Sequence, residues 1–157
     1  IGWGAGQPIA RDLLDQGCAG MGIDASPELI DISRRTLPNG EWAVSDMRNL
    51  HLKTKYGGII AWNSMFHLTP GDQRNMFPIL QQHAAPGAVL LFTSGSSQGD
   101  AIGVFEGEAL YHASLAGDEY RALLKHHGFD VIDHVVKDER CGFHIVWLAH
   151  FNGPARD

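Results

Sequence analysis

A chain of 157 residues, 44% hydrophobic and 19% charged, has the size and balance of one globular domain with a sizeable core. Its formal net charge is −6 and its 12 Lys and Arg residues are scattered, which argues against a nucleic-acid phosphate track or an anionic membrane surface as partner. No apolar run approaches a membrane span and no secretory signal opens the chain, so the expectation is a cytoplasmic protein with a small-molecule partner.

The chain opens inside what reads as a first strand, at Ile1, which implies a single domain whose N-terminal part is missing. Gly2, Gly4 and Gly6 alternate ahead of a helix and make a ligand loop. Backbone without Cβ turns sharply and lets a ligand approach its amides, and the following helix begins with unpaired N–H groups. A dinucleotide fingerprint would need Gly or Ala at position 7, where Gln7 stands. The first helix carries Ile9, Leu13 and Leu14 on one stripe and ends at Gly17. Residues 19–24 make the second strand, ending in Asp24 at the spacing where a βαβ unit sets a carboxylate on a ribose. The other reading of Asp24 is an acid at the start of the helix that Ser26-Pro27 opens. That helix buries Leu29, Ile30 and Leu37, and Pro38-Asn39-Gly40 turns the chain into a third strand, Glu41–Val44. An acid, Asp46, again follows the strand's carboxyl end, where ligands of open parallel sheets gather; the alternative is a turn residue.

Ile59–Trp62 is an unbroken apolar run, read as a fourth strand buried on both faces. Thr69-Pro70-Gly71-Asp72 reads as an N-cap, a first-turn proline and an N3 acid; Met76, Phe77 and Leu80 face inward, and Pro78 is expected to kink the helix. A fifth strand runs from Ala88 to Thr93. The Gly- and Ser-rich segment from Ser94 to Gly107 shows neither helical nor strand period and reads, with Tyr111 and His112, as a lid or substrate loop. Ser114 opens a last helix with Tyr120, Leu123 and Leu124 inward, and Val131–Val136 with Phe143–Phe151 form a closing hairpin around 137–140. Cys18 and Cys141 form no Cys-x-x-Cys pair and read as reduced, structural residues.

Taken in order, the alternating glycines, the acids after the second and third strands, Pro86-Gly87 before the fifth strand and the final hairpin resemble a class I S-adenosylmethionine-dependent methyltransferase. The resemblance covers nearly the whole chain. It implies an α/β fold, a doubly wound Rossmann-like sheet in the order 3-2-1-4-5-7-6, mostly parallel with an antiparallel C-terminal hairpin. It implies S-adenosylmethionine as cofactor, with Gly2, Gly4 and Gly6 around its methionine part, Asp24 at the ribose, Ala25 as a further cofactor contact, Asp46 and Met47 at the adenine, and Trp62 and Asn63 on the stretch after the fourth strand. Trp3 stands where the family usually has a small residue, so its indole either points away from the cofactor or crowds it.

His67, just past the fourth strand, is the candidate general base; the alternative is a histidine that lines the pocket without moving a proton. Tyr111 and His112 are candidate substrate contacts, or loop packing. The remaining histidines, including His126-His127, show no ligand spacing, and no metal is expected. The expected activity is methyl transfer to a small-molecule acceptor. The alternatives are a catalytically inactive cofactor-binding domain and a nucleotide-cofactor oxidoreductase, the latter disfavoured by Gln7 and by the absence of a Tyr-x-x-x-Lys relay.

Overall fold

The computed structural model describes residues 1–105, 107–139 and 143–153; Cys141 lies outside them. The chain divides into two compact units, Ile1–His51 and Leu52–Asp157.

The first unit holds α1 (Ile9–Asp15), β1 (Met21–Asp24), α2 (Pro27–Thr36), β2 (Glu41–Val44) and a 3-10 turn, Met47–Asn49. The strands expected as second and third are β1 and β2, paired in parallel from Met21↔Glu41 to Asp24↔Val44. No strand is assigned at Ile1–Trp3, although the Trp3 N–H donates to the Ile23 carbonyl at 3.0 Å. Ser26 caps α2 by accepting from the Leu29 N–H, and Pro27 fills its first turn, where a missing N–H costs nothing. Ile30 and Leu37 are buried as expected while Leu29 is only half-buried, and Ile23 of β1 is buried too. Trp42 closes the other side of this core. It packs against Gly22 and Gly40, where an added Cβ would overlap its ring, and its Nε1–H donates to the Leu37 carbonyl at 3.0 Å.

The second unit holds β3 (Tyr56–Ala61), a 3-10 turn at Met65–His67, α3 (Pro70–His83), β4 (Ala84–Ser94), β5 (Gly99–Phe105), β6 (Glu108–Ser114), α4 (Gly117–His126), β7 (Phe129–Asp138) and β8 (His144–Phe151). Its main sheet has the order β3-β4-β8-β7, with β3–β4 parallel and the other two pairings antiparallel. In the order expected from sequence this is 4-5-7-6, closing hairpin included. Together with the separate pair β5–β6, the described pairings are two parallel and three antiparallel, so they make a mixed α/β set and do not carry a mostly parallel sheet.

Two local expectations change. The segment expected to lack strand period holds two strands, β5 and β6, paired antiparallel, with Tyr111 and His112 on the return strand opposite Ile102 and Ala101. The last helix starts at Gly117, because Ser114 still belongs to β6. The helix α3 runs from Pro70 to His83 with Pro78 inside it, and its Thr69 cap accepts from the Asp72 N–H at 3.2 Å as read.

Met76, Phe77 and Leu80 of α3 and Leu124 of α4 are fully buried. They meet a ring cluster in which Phe92 lies 5.8 Å from Trp147, nearly parallel, and Tyr120 sits 5.7 Å from Phe92 and 5.6 Å from Trp147. The polar groups of Tyr120, Gln73 and His83 inside this core are paired. The Tyr120 hydroxyl donates to Gln73 Oε1 at 2.5 Å and accepts from the Leu115 N–H at 3.2 Å, while Gln73 Nε2 donates to the Leu68 and Ala113 carbonyls. Burial pushes the Tyr120 phenol above its ordinary pKa. His83 satisfies both ring nitrogens, Nδ1 donating to the Ile79 carbonyl and Nε2 accepting from the Leu52 N–H.

Candidate active site

The expected site residues fall into two sets, one in each unit. In the first, Gly2, Gly4 and Gly6 all lie in the left-handed region, at φ of 61°, 58° and 80°. A side chain is strained there by about 1–2 kcal/mol, which is why the loop needs glycine at alternate positions. At Gly6 space also forbids one, since a Cβ would stand 3.1 Å from Leu37 Cδ1 and 3.2 Å from Ser33 Oγ. At Gly4 the same construction meets nothing within 4 Å, so the backbone there is open to an approaching group.

Asp24 ties this loop to β1. Its Oδ2 accepts from the Gly4 N–H at 2.8 Å and its Oδ1 from the Ser26 N–H at 2.9 Å. Each carboxylate oxygen offers further lone-pair directions, so the group can hold the loop and still accept from a hydroxyl. Ser33, fully buried on α2, donates from Oγ to the Gly4 carbonyl at 3.3 Å. Ser33 was not singled out in the sequence; a serine in a helix interior gives no sign of reaching a loop so far back. Ala25 is exposed between Asp24 and the Ser26 cap.

Asp46 accepts from the Arg48 N–H and pairs through both oxygens with the Arg48 guanidinium. The side-chain bond to Arg48, then the backbone one, hold its carboxyl below the usual range. It therefore caps the Met47–Asn49 turn, in line with the turn alternative, and it meets an adenine amino group only in competition with Arg48. Met47 is half-buried in that turn. The Trp3 indole lies toward Trp42, with ring centroids 6.3 Å apart, and its Nε1 is buried without a partner.

In the second unit Trp62 is half-buried just beyond β3. Asn63 takes a left-handed φ of 46°; its N–H donates to Thr93 Oγ1 at 2.8 Å, and Thr93 Oγ1 donates to Asn63 Oδ1 at 3.3 Å. This turn leads to Met65–His67. The structure brings His67, Tyr111 and His112 together: His67 Nδ1 lies 3.2 Å from the Tyr111 carbonyl, and the His67 and His112 rings are 4.8 Å apart. A carbonyl only accepts, so His67 Nδ1 carries the proton and the neutral ring keeps its Nε2 lone pair. A base needs that tautomer. Phe66 and His144, neither singled out in the sequence, complete the cluster, with Phe66 stacked on His144 at 5.1 Å. Among the described residues no group of three or more His, Cys, Asp or Glu could hold a metal ion. Cys18 is free and exposed rather than packed in the core.

The fold is that of an α/β protein built from βα units with a glycine loop at its front. A family model described as "Methyltransferase domain" matches residues 1–87, more than half of the sequence, and the chain belongs to that family. A methyltransferase structure from Methanosarcina mazei aligns with TM-score 0.81 at 15% identity, covering 98% of this chain and 91% of that one. One from Clostridium acetobutylicum aligns with TM-score 0.77 at 15% identity, over 97% and 82%. The Burkholderia thailandensis 1,6-didemethyltoxoflavin-N1-methyltransferase aligns with TM-score 0.74 at 17% identity, over 96% and 68%. At these identities the likeness is one of fold. No curated protein matches the sequence. The resemblance to class I methyltransferases stands, and S-adenosylmethionine is the cofactor of that class.

Proposed function

We propose that the chain transfers a methyl group from S-adenosylmethionine to a small-molecule acceptor. The observation that carries this reading is the Gly4–Asp24 hydrogen bond, which sets a carboxylate beside an open, left-handed glycine backbone. Those groups fit the cofactor's chemistry: a carboxylate accepts charge-assisted bonds from ribose hydroxyls, and bare backbone admits the methionine end. The cofactor supplies an electrophilic methyl on a sulfonium. The residues supply orientation, which by itself accounts for about 7–11 kcal/mol of a barrier when reacting atoms are held in line. We read His67, with Nδ1 bound to the Tyr111 carbonyl, as the group that takes the acceptor proton at Nε2, and Tyr111 and His112 beside it as contacts of the acceptor.

A small-molecule acceptor is supported by the Burkholderia thailandensis neighbour, whose structure holds 1,6-didemethyltoxoflavin. The matched stretch, residues 1–87, runs across the boundary at His51, which supports reading both units as one methyltransferase domain. The doubly wound sheet goes with that reading, supported by the parallel pairs β1–β2 and β3–β4. Calorimetry with S-adenosylmethionine, S-adenosylhomocysteine and NAD tests the cofactor, and transfer of a labelled methyl to a metabolite panel tests the activity. Binding of NAD in preference to the other two would overturn the reading.

A further inference from the structure

The side chains proposed to meet an acceptor stand on elements that no described strand pairing joins. His67 ends the Met65–His67 turn, and His112 lies on β6, whose strand partner among the described residues is β5 alone. Their rings are nevertheless 4.8 Å apart. A buried polar tie between turn and hairpin runs through Gln73, on the first turn of α3. Its Nε2 donates to the Leu68 carbonyl and to the Ala113 carbonyl, each at 2.9 Å. Leu68 directly follows His67 and Ala113 directly follows His112, so one nitrogen joins the two backbones one residue from each imidazole. The helix that carries Gln73 is fixed at the same end, where Thr69 accepts from the Asp72 N–H.

Donor and acceptor chemistry leaves this amide one orientation. Carbonyls only accept, so the NH2 group faces Leu68 and Ala113, and Oε1 turns to the Tyr120 hydroxyl, which donates to it and accepts from the Leu115 N–H at 3.2 Å. Gln73, Tyr120, Ala113 and Leu115 are all buried, so a bond lost among them is not simply returned by bulk water. We infer that Gln73 is a positioning residue: its amide sets the spacing of His67 and His112, and with it the Nδ1–H bond from His67 to the Tyr111 carbonyl that leaves the Nε2 lone pair for a proton. It acts through backbone, since the carbonyls it holds belong to the neighbours of the two histidines. That this spacing serves methyl transfer rests on the function proposed above; the spacing itself does not.

Imidazole nitrogen spectra of the full chain at about pH 8, above ordinary histidine titration, read the His67 tautomer, with His67→Ala identifying the signal. The wild type should show the Nδ1–H form and a magnetic contact between the His67 and His112 ring protons. Gln73→Met fills the site without a donor, and Gln73→Glu keeps the shape with at most one donor, and that only when protonated. Either variant, if folded, should lose the contact and shift His67 toward the Nε2–H form. Tyr120→Phe weakens the same core but leaves both Nε2 bonds of Gln73, and should keep the wild-type spectrum. A merely structural role would lower the melting point in all of them and move the His67 signal in none. Once an acceptor is known, Gln73→Met should lower kcat about 10²-fold, the cost of misplacing a reacting group by about 1 Å, with affinity for S-adenosylmethionine unchanged. The inference is overturned if wild-type His67 is in the Nε2–H form, if the Gln73 amide protons of the wild type exchange as fast as exposed ones, if the folded Gln73 variants keep the wild-type spectrum, or if kcat holds. A wild type that neither binds S-adenosylmethionine nor transfers methyl, with the spectra responding as stated, would overturn the proposed function and leave Gln73 as the residue that sets the two rings.

Discussion

The guanidinium of Arg121 donates a hydrogen bond of 2.8 Å to Nδ1 of His134, whose ring is stacked on Trp147 with centroids 3.7 Å apart. Arginine has only donors, so His134 is neutral with its proton on Nε2, where it is buried without a partner. Burial, and then the Arg121 charge, hold this histidine below its ordinary pKa, against an opposing pull from Asp133.

The sign of the pH effect follows. The unfolded chain takes up this proton at a higher pH than the folded one, so the stability is complete above the unfolded value of about 6.5 and is lost as pH falls through the lowered folded value. Thermal melts from about pH 8 to pH 5 should show a falling midpoint, and His134→Phe, which keeps a ring on Trp147, should fall less steeply. Equal slopes in the two proteins would show that another group titrates.

Removing the Tyr120 hydroxyl should be expensive for one atom. Tyr120→Phe leaves Gln73 Oε1 and the Leu115 N–H without their bonds in a buried site, at a cost of about 1–3 kcal/mol. The urea midpoint should shift to match, with little change in slope; an unchanged midpoint would mean that water replaces the hydroxyl.

The glycine loop offers a second stability measurement. Gly6→Ala places a Cβ against Leu37 and Ser33 at a φ of 80°, and should cost about 1–2 kcal/mol from the backbone alone. Full stability in the urea curve of that variant would show that the loop relaxes around it.

Asp24→Ala removes the acceptor of the Gly4 and Ser26 amides as well as the proposed ribose contact. Affinity for S-adenosylmethionine should drop about tenfold or more, the effect of one charge-assisted bond. Unchanged affinity by calorimetry would remove Asp24 from the cofactor site.

If His67 is the base, His67→Ala should lower kcat by about 10²–10⁴-fold while cofactor binding holds. A rate that survives would mean that positioning alone, or a different base, completes transfer.

Much of this was legible because local chemistry and fold agreed. Ser26-Pro27 and Thr69-Pro70 announce helix starts through side chains that cap their own backbone, and Asp24 and Asp46 follow short apolar runs at strand ends. The hairpin was missed because Gly95–Gly99 reads as flexible, and its strands lack clean alternation with Gly103 and the half-exposed Tyr111 and His112 among them. His144 was missed for another reason: it meets Phe66 and His112 only through the pairing of β8, and distant pairing leaves no mark on spacing. The Arg48 pairing of Asp46 lay close in sequence, yet the spacing alone does not show whether the carboxylate turns back on its own turn or outward to a ligand.

The seat of Trp42 ties three positions of the chain together in inheritance. Its ring fills the volume that side chains at Gly22 and Gly40 would occupy, so neither glycine can acquire a Cβ while the indole stays in place. Among homologues, residues 22, 40 and 42 should therefore change in concert, with a larger residue at 22 or 40 accompanied by a smaller one at 42, and lineages that alter one alone should be rare.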